Sequence, residues 1–140
     1  GGSYLPSSSC NWYLIPPNSS YTYVTITFIN FDTESYWDPV TIYDGNTINS
    51  PKLAQYSGYS LPYPSTISST QSYLTITFSS DNIIQYTGFS LYYQYQTGAP
   101  PLCGGITTLT SGDSSFSLDF PALEGTSFEC DFIIPSIYTH

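Results

Sequence analysis

The chain has no methionine and no arginine; its only basic side chain is Lys52, and its only histidine is the last residue, His140. One basic residue against 10 acids leaves a formal net charge of −9 over 140 residues. Phosphate backbones and anionic membrane surfaces repel such a surface, which excludes nucleic acid as a partner. A histidine at the chain end cannot complete a Ser-His-Asp arrangement or a histidine-bound zinc site within a folded domain. Cysteines are also scarce, only Cys10, Cys103 and Cys130, and none has an internal base to activate it. A carboxylate pair such as Glu34 and Asp38 has the residue types of a glycosidase, but no cleft of sugar-binding groups is identifiable around it. The reading is therefore non-enzymatic. No run approaches the roughly 20 apolar residues of a membrane span, so membrane insertion is not expected. The opening GGSYLPSSSC lacks the regions of a signal peptide, which implies that residue 1 lies in mature or excised sequence.

What the chain does have is Ser and Thr at more than a quarter of positions, and 15 tyrosines. Apolar and polar residues alternate at period two. In YTYVTITFINF from Tyr21, residues Val24, Ile26 and Phe28 share one face and Thr25 and Thr27 the other. The pattern returns in SYLTITFSS, with Leu74, Ile76 and Phe78 inward, and in GFSLYYQYQ, with Phe89, Leu91, Tyr93 and Tyr95 on one side. Shorter strands are expected at 10–15, 39–43, 52–57 and 65–68. Turn signals separate them: Pro16-Pro17-Asn18, Asp44-Gly45-Asn46, Asn49-Ser50-Pro51, Pro62 with Pro64, Ser80-Asp81-Asn82 and Thr97-Gly98. No segment has a helical period. The predicted fold class is all-β, a jelly-roll-like sandwich of two antiparallel sheets whose outer faces carry Thr and Tyr. The triplet Asn18-Ser19-Ser20 is a glycosylation sequon in a predicted turn, and it fits a secreted protein.

Three cysteines cannot all pair within one chain. Either some are buried free thiols, or the chain is part of something longer. After Gly98-Ala99-Pro100-Pro101 the sequence begins to repeat itself: Cys130-Asp131-Phe132-Ile133-Ile134-Pro135 parallels Cys10-Asn11-Trp12-Tyr13-Leu14-Ile15-Pro16, and Gly104-Gly105 echoes Gly1-Gly2. The two cysteines are 120 residues apart, a plausible module repeat. This divides the chain into a sandwich over 1–97 and, over 98–140, the start of a second module or a β extension packing on a neighbouring unit. By the logic of the second module Cys103 pairs with Cys130. Cys10 is then unpaired here, or bonded to another chain or segment.

From Cys10 to Tyr95 the chain resembles the CUB family of extracellular sandwich modules. The resemblance rests on six motifs in order: Cys10-Asn11-Trp12-Tyr13-Leu14, Phe31-Asp32-Thr33-Glu34, Asp38-Pro39-Val40-Thr41-Ile42-Tyr43-Asp44-Gly45, Tyr56-Ser57-Gly58, Phe78-Ser79-Ser80-Asp81 and Gly88-Phe89-Ser90-Leu91-Tyr92-Tyr93. It implies a Ca²⁺ site at one edge formed by Glu34, Asp38 and Asp81, the positions that match the family's acidic ligands. Such a set makes chemical sense, because three carboxylates on adjoining loops repel one another unless a cation with six to eight oxygen ligands joins them. Loop acids are also commonly solvated without any ion. Asp44 is left out of the set, since Asp-Gly between strands is most often a turn. The chain departs from the family in a shorter loop from Glu34 to Asp38, in Ile83 and Ile84 where polar residues are usual, and in lacking a second disulfide. Tyr36 or Trp37 stands near one of its cysteine positions and Ser57 at the other, so aromatic packing is expected to replace that staple.

These readings converge on a secreted structural or interaction module, a repeat unit of an extracellular filament or adhesive array with a calcium-stabilised edge. The expected partners are neighbouring copies or adjacent modules, other extracellular proteins, or glycans, with the resemblance implying that the edge receives a partner's basic side chain. The alternative is a discrete calcium-dependent domain that binds protein or carbohydrate.

Overall fold

The period-two runs become strands because each can bury one face and leave the other to hydrogen-bonding side chains. In the computed structural model, which describes residues 2–101, the strands are β1 (Ser9–Leu14), β2 (Tyr23–Asp32), β3 (Val40–Tyr43), β4 (Lys52–Tyr56), β5 (Thr66–Ser68), β6 (Leu74–Ser79) and β7 (Gly88–Gln96). No helix occurs among the described residues. One sheet has the order β1-β6-β3-β4 and the other β5-β2-β7, and every pairing is antiparallel. Val24, Ile26 and Phe28 of β2 are buried, as are Leu74, Ile76 and Phe78 of β6, so both predicted inner faces are the inner faces. On the other side of β2 the hydroxyls of Thr25 and Thr27 pair across to Ser68 and Thr66 at 3.2 and 3.0 Å, a polar ladder facing water.

Strict alternation would turn Phe31 outward. A bulge between Phe28 and Asn30 inserts Ile29 as an extra residue opposite β7, so Phe28 and Phe31 both point into the core while Ile29 is left outside. The consequence is a chain of ring contacts through the sandwich: Phe28 meets Phe31, Tyr56 and Phe89 at 5.5, 5.9 and 6.1 Å between centroids, and Phe89 meets Phe78 at 5.7 Å and Trp12 at 5.9 Å. Edge-on pairs of this kind contribute about 0.5–1.5 kcal/mol each beyond their buried area.

Two expectations are corrected. Aromatic packing does not fill the place of the missing staple, because Tyr36 is 93% and Trp37 65% exposed; the rings cluster in the core instead. The outer face of the four-stranded sheet does not simply expose its threonines either. Thr75 and Thr41 are buried, with the Thr75 hydroxyl donating to the Gly45 carbonyl at 2.8 Å and the Gln55 amide donating to the Thr41 hydroxyl at 3.0 Å. The β3–β4 turn folds back over this face, held by the buried Asp44 carboxylate, which accepts from the Thr70 amide at 2.9 Å and the Thr70 hydroxyl at 2.5 Å. Gly45 (φ 151°) allows the fold-back, since a Cβ there would come within 2.3 Å of Ser50 Oγ. β7 ends at Gln96; the second module or extension and the Cys103–Cys130 pairing lie outside the described residues. Cys10 on β1 is half-buried and has no disulfide partner among the described residues.

The Tyr56 hydroxyl is buried without a hydrogen-bond partner, although its ring packs on Phe28 and Phe31. An unpaired buried hydroxyl costs roughly 1–3 kcal/mol. Tyr56→Phe is therefore expected to leave stability unchanged or raise it by about 1 kcal/mol, whereas Phe28→Ala loses about 3–5 kcal/mol. Urea midpoints at constant m value measure both, and a marked loss of stability in Tyr56→Phe contradicts the assignment.

Candidate metal centre

Strand register brings distant loops to one end of the sandwich. Asp32, at the end of β2, lies opposite Gly88, the first residue of β7; Val40, the first residue of β3, lies opposite Phe78 near the end of β6. The β2–β3 loop carrying Glu34 and Asp38 and the β6–β7 loop carrying Asp81 therefore share a rim. There, one carboxylate oxygen from each of Glu34, Asp38 and Asp81 lies within 4.8 Å of the others.

Asp38 is the anchor. It has no exposed surface, and its two oxygens accept hydrogen bonds from different segments: Oδ2 from the Tyr4 hydroxyl at 2.5 Å and Oδ1 from the Asp81 amide at 2.8 Å. The Tyr4 oxygen in turn accepts from the Glu34 amide at 3.1 Å, and the Tyr4 ring packs edge-on against Phe78 at 5.0 Å. Burial, then the bond to Asp38, pushes the Tyr4 hydroxyl from an ordinary value near 10 up to about 12. Asp81 is shaped by its own turn, with Oδ1 accepting from the Ile83 amide at 2.9 Å. Ile83 thus takes part through its backbone while its side chain stays exposed.

Glu34 differs from both. Its Oε2 is buried with no hydrogen-bond partner, and desolvation, then the charges of Asp81 and Asp38, hold its carboxyl above the usual carboxylate range. The chain's one Lys pairs in register with Tyr43, at the far end of β3 from Asp38, so it neutralises nothing here. Oxygens bound to one Ca²⁺ at about 2.3–2.6 Å can stand no more than about 5 Å apart. The cluster meets that limit, and its hard, acidic, under-neutralised donors suit such an ion.

A family description for the CUB domain matches residues 1–93. The chain belongs to the CUB domain family. Human cubilin is 40% identical over 137 residues, covering 94% of this chain and 4% of cubilin, so this CUB domain spans about 4% of the length of that relative. The structure of the full extracellular region of zebrafish Gpr126/Adgrg6 aligns with a TM-score of 0.56 at 28% identity, over 69% of this chain and 12% of that one. The MASP-1 CUB2 domain bound to Ca²⁺ aligns with a TM-score of 0.52 at 26% identity, over 66% of this chain and 81% of that one. The fold is a CUB β-sandwich, as the sequence motifs imply.

Of the residues singled out in the sequence, Glu34, Asp38 and Asp81 are together, and Asp44 stands apart in a turn, with its carboxylate already bonded to Thr70. Asn18 is exposed in the β1–β2 turn, where its side-chain oxygen accepts from the amide of Ser20 at 2.9 Å and from the Ser20 hydroxyl. Sequence reasoning missed Tyr4. It sits in Gly-Gly-Ser-Tyr-Leu-Pro, outside any period-two run, and no local pattern marks it.

The raised Glu34 value sets a sign for pH dependence. A carboxyl whose folded value lies above its unfolded 4.5 contributes stability that is complete below 4.5 and is lost as pH rises through the folded value. Ion-free protein is therefore expected to lose stability as pH climbs from about 4.5, and Glu34→Gln to flatten that slope in melts across the range. Tyr4→Phe keeps the ring on Phe78 but strips a partner from Asp38. It is expected to lose about 1.5–3 kcal/mol in denaturant titrations near neutral pH.

Proposed function

We propose that this CUB domain is a secreted, non-enzymatic interaction module whose loop rim binds Ca²⁺ through Glu34, Asp38 and Asp81 and presents the ordered rim to another extracellular protein. The observation that carries the proposal is the meeting of three carboxylates within 4.8 Å with one buried oxygen unpaired. It is supported by the MASP-1 CUB2 relative, which was solved with Ca²⁺ bound. An extracellular setting is supported by the kinship with Gpr126/Adgrg6 and by the exposed Asn18 sequon, proposed here as glycosylated.

The rim is also apolar at its borders. Leu5, Tyr36, Trp37 and Ile83, on the segments that carry or adjoin the three acids, are 73, 93, 65 and 72% exposed. Three carboxylates around one divalent ion retain negative charge, so the face fits a basic side chain flanked by apolar residues. A protein partner suits it better than a glycan.

The module belongs, in this reading, to an extracellular adhesive array or filament. Similarity to human cubilin over 137 residues continues past residue 93, which supports related sequence beyond the CUB match; in this reading residues 98–140 start a second module, Cys103 is bonded to Cys130, and neighbouring copies or modules are the partners. Cys10 then pairs outside this chain.

Calcium titration with thermal melts tests the site. A ligand present at 100 times its Kd stabilises by about 2.7 kcal/mol, so millimolar Ca²⁺ is expected to raise the wild-type Tm by several degrees and to leave Asp38→Asn unmoved. A wild-type Tm that ignores Ca²⁺ sinks the reading.

A further inference from the structure

The metal loop contains a backbone conformation that its own side chain cannot account for. Tyr36 has φ 71°, the left-handed region that residues with a Cβ rarely adopt, and its ring is 93% exposed, so packing does not hold it there. The turn around it is closed on one side by the Asp38 amide donating to the Glu34 carbonyl at 3.1 Å. A second restraint is the Glu34 amide donating to the Tyr4 hydroxyl at 3.1 Å, and the others come from Ser57 and Gly58, just beyond β4. The Thr33 amide donates to the Gly58 carbonyl at 2.7 Å, the Gly58 amide donates to the Thr33 hydroxyl at 3.2 Å, and the Tyr36 amide donates to the Ser57 hydroxyl at 2.9 Å. Gly58 (φ 116°) adopts a backbone that a side chain would strain.

These bonds grip the loop at 33 and 36, on either side of Glu34. The other two acids have carboxylates fixed by hydrogen bonds, Asp38 by Tyr4 and the Asp81 amide, Asp81 by the Ile83 amide. The buried Oε2 of Glu34 has none, so its place is set by the backbone that carries it. We propose that Ser57-Gly58 is a positioning clamp that sets the Ca²⁺ affinity of the rim by holding Glu34 in place, with the Ser57 hydroxyl as its adjustable member. Thr33 is buried, which secures the first grip, whereas Ser57 is exposed and its bond competes with water. Without it the turn at 35–36 loses a restraint in the ion-free state, although the Glu34 amide stays on the Tyr4 hydroxyl and its carbonyl on the Asp38 amide, and ordering that turn again opposes binding. This inference rests on the calcium reading above.

The test is calorimetric titration of the 140-residue chain with Ca²⁺, alongside ion-free melts, for wild type, Ser57→Ala and Ser57→Thr. Loss of one solvent-exposed hydrogen bond is expected to weaken Ca²⁺ binding by roughly three- to ten-fold in Ser57→Ala, with the ion-free Tm nearly unchanged. Ser57→Thr, which keeps the hydroxyl, is expected to restore most of the affinity. If wild type binds Ca²⁺ and Ser57→Ala binds it equally well, or if Ser57→Thr is as weak as alanine, the clamp is wrong and the site stands. A fall in affinity accompanied by a large fall in ion-free Tm also overturns it, because that is a fold defect. Absence of binding in wild type removes the calcium reading and the clamp with it.

Discussion

A carboxylate with no exposed surface must be satisfied by the protein, and at Asp38 that requirement joins three parts of the chain. The N-terminal segment supplies the Tyr4 hydroxyl, the β6–β7 loop supplies the Asp81 amide, and the β2–β3 loop supplies Asp38 itself. Leaving either oxygen unpaired is expensive at such a site. The rim is thus built around one buried charge before any ion is considered, and Glu34 and Asp81 are brought beside it as a result. Glu34 is the unrelieved part of the arrangement: burial first, then repulsion from Asp81 and Asp38, holds its carboxyl above the usual carboxylate range.

Packing beneath the rim and chemistry on it are linked through the same residues. The Tyr4 ring lies on Phe78, Phe78 on Phe89, and Phe89 on Phe28 and Phe31, so the hydroxyl that serves Asp38 is mounted on the aromatic core. The β2 bulge turns Phe31 inward, and Asp32 follows in register with Gly88. From there the chain leaves the sheet into the loop that holds Glu34. A change in the core near Phe31 or Phe78 is consequently also a change in the support of the rim, whereas the exposed side chains of Trp37 and Ile83 carry none of that support.

Legibility followed from how local each signal was. The three longer runs, now β2, β6 and β7, are legible because burial on one face imposes alternation, and the four shorter strands because turn residues bound them. The acidic trio was visible only through the family resemblance; nothing in the spacing of Glu34, Asp38 and Asp81 relates the third to the first two. Tyr4 was missed because its role depends on a contact with Asp38 across 34 positions of sequence. The burial of Thr75 on the outer face of its sheet leaves no mark in its own strand, because the turn that covers it comes from residues around Gly45.

The fold class, the strands and the inner faces of β2 and β6 follow from the sequence alone, since each depends on composition, on turn residues or on neighbours two residues apart. Only the tertiary structure decided that three carboxylates share a rim, that one is buried and one oxygen unpaired, and that a tyrosine and a serine-glycine pair hold them. Those facts arise from strand register and loop closure, which sum interactions between residues far apart in the chain and leave no periodic trace in it.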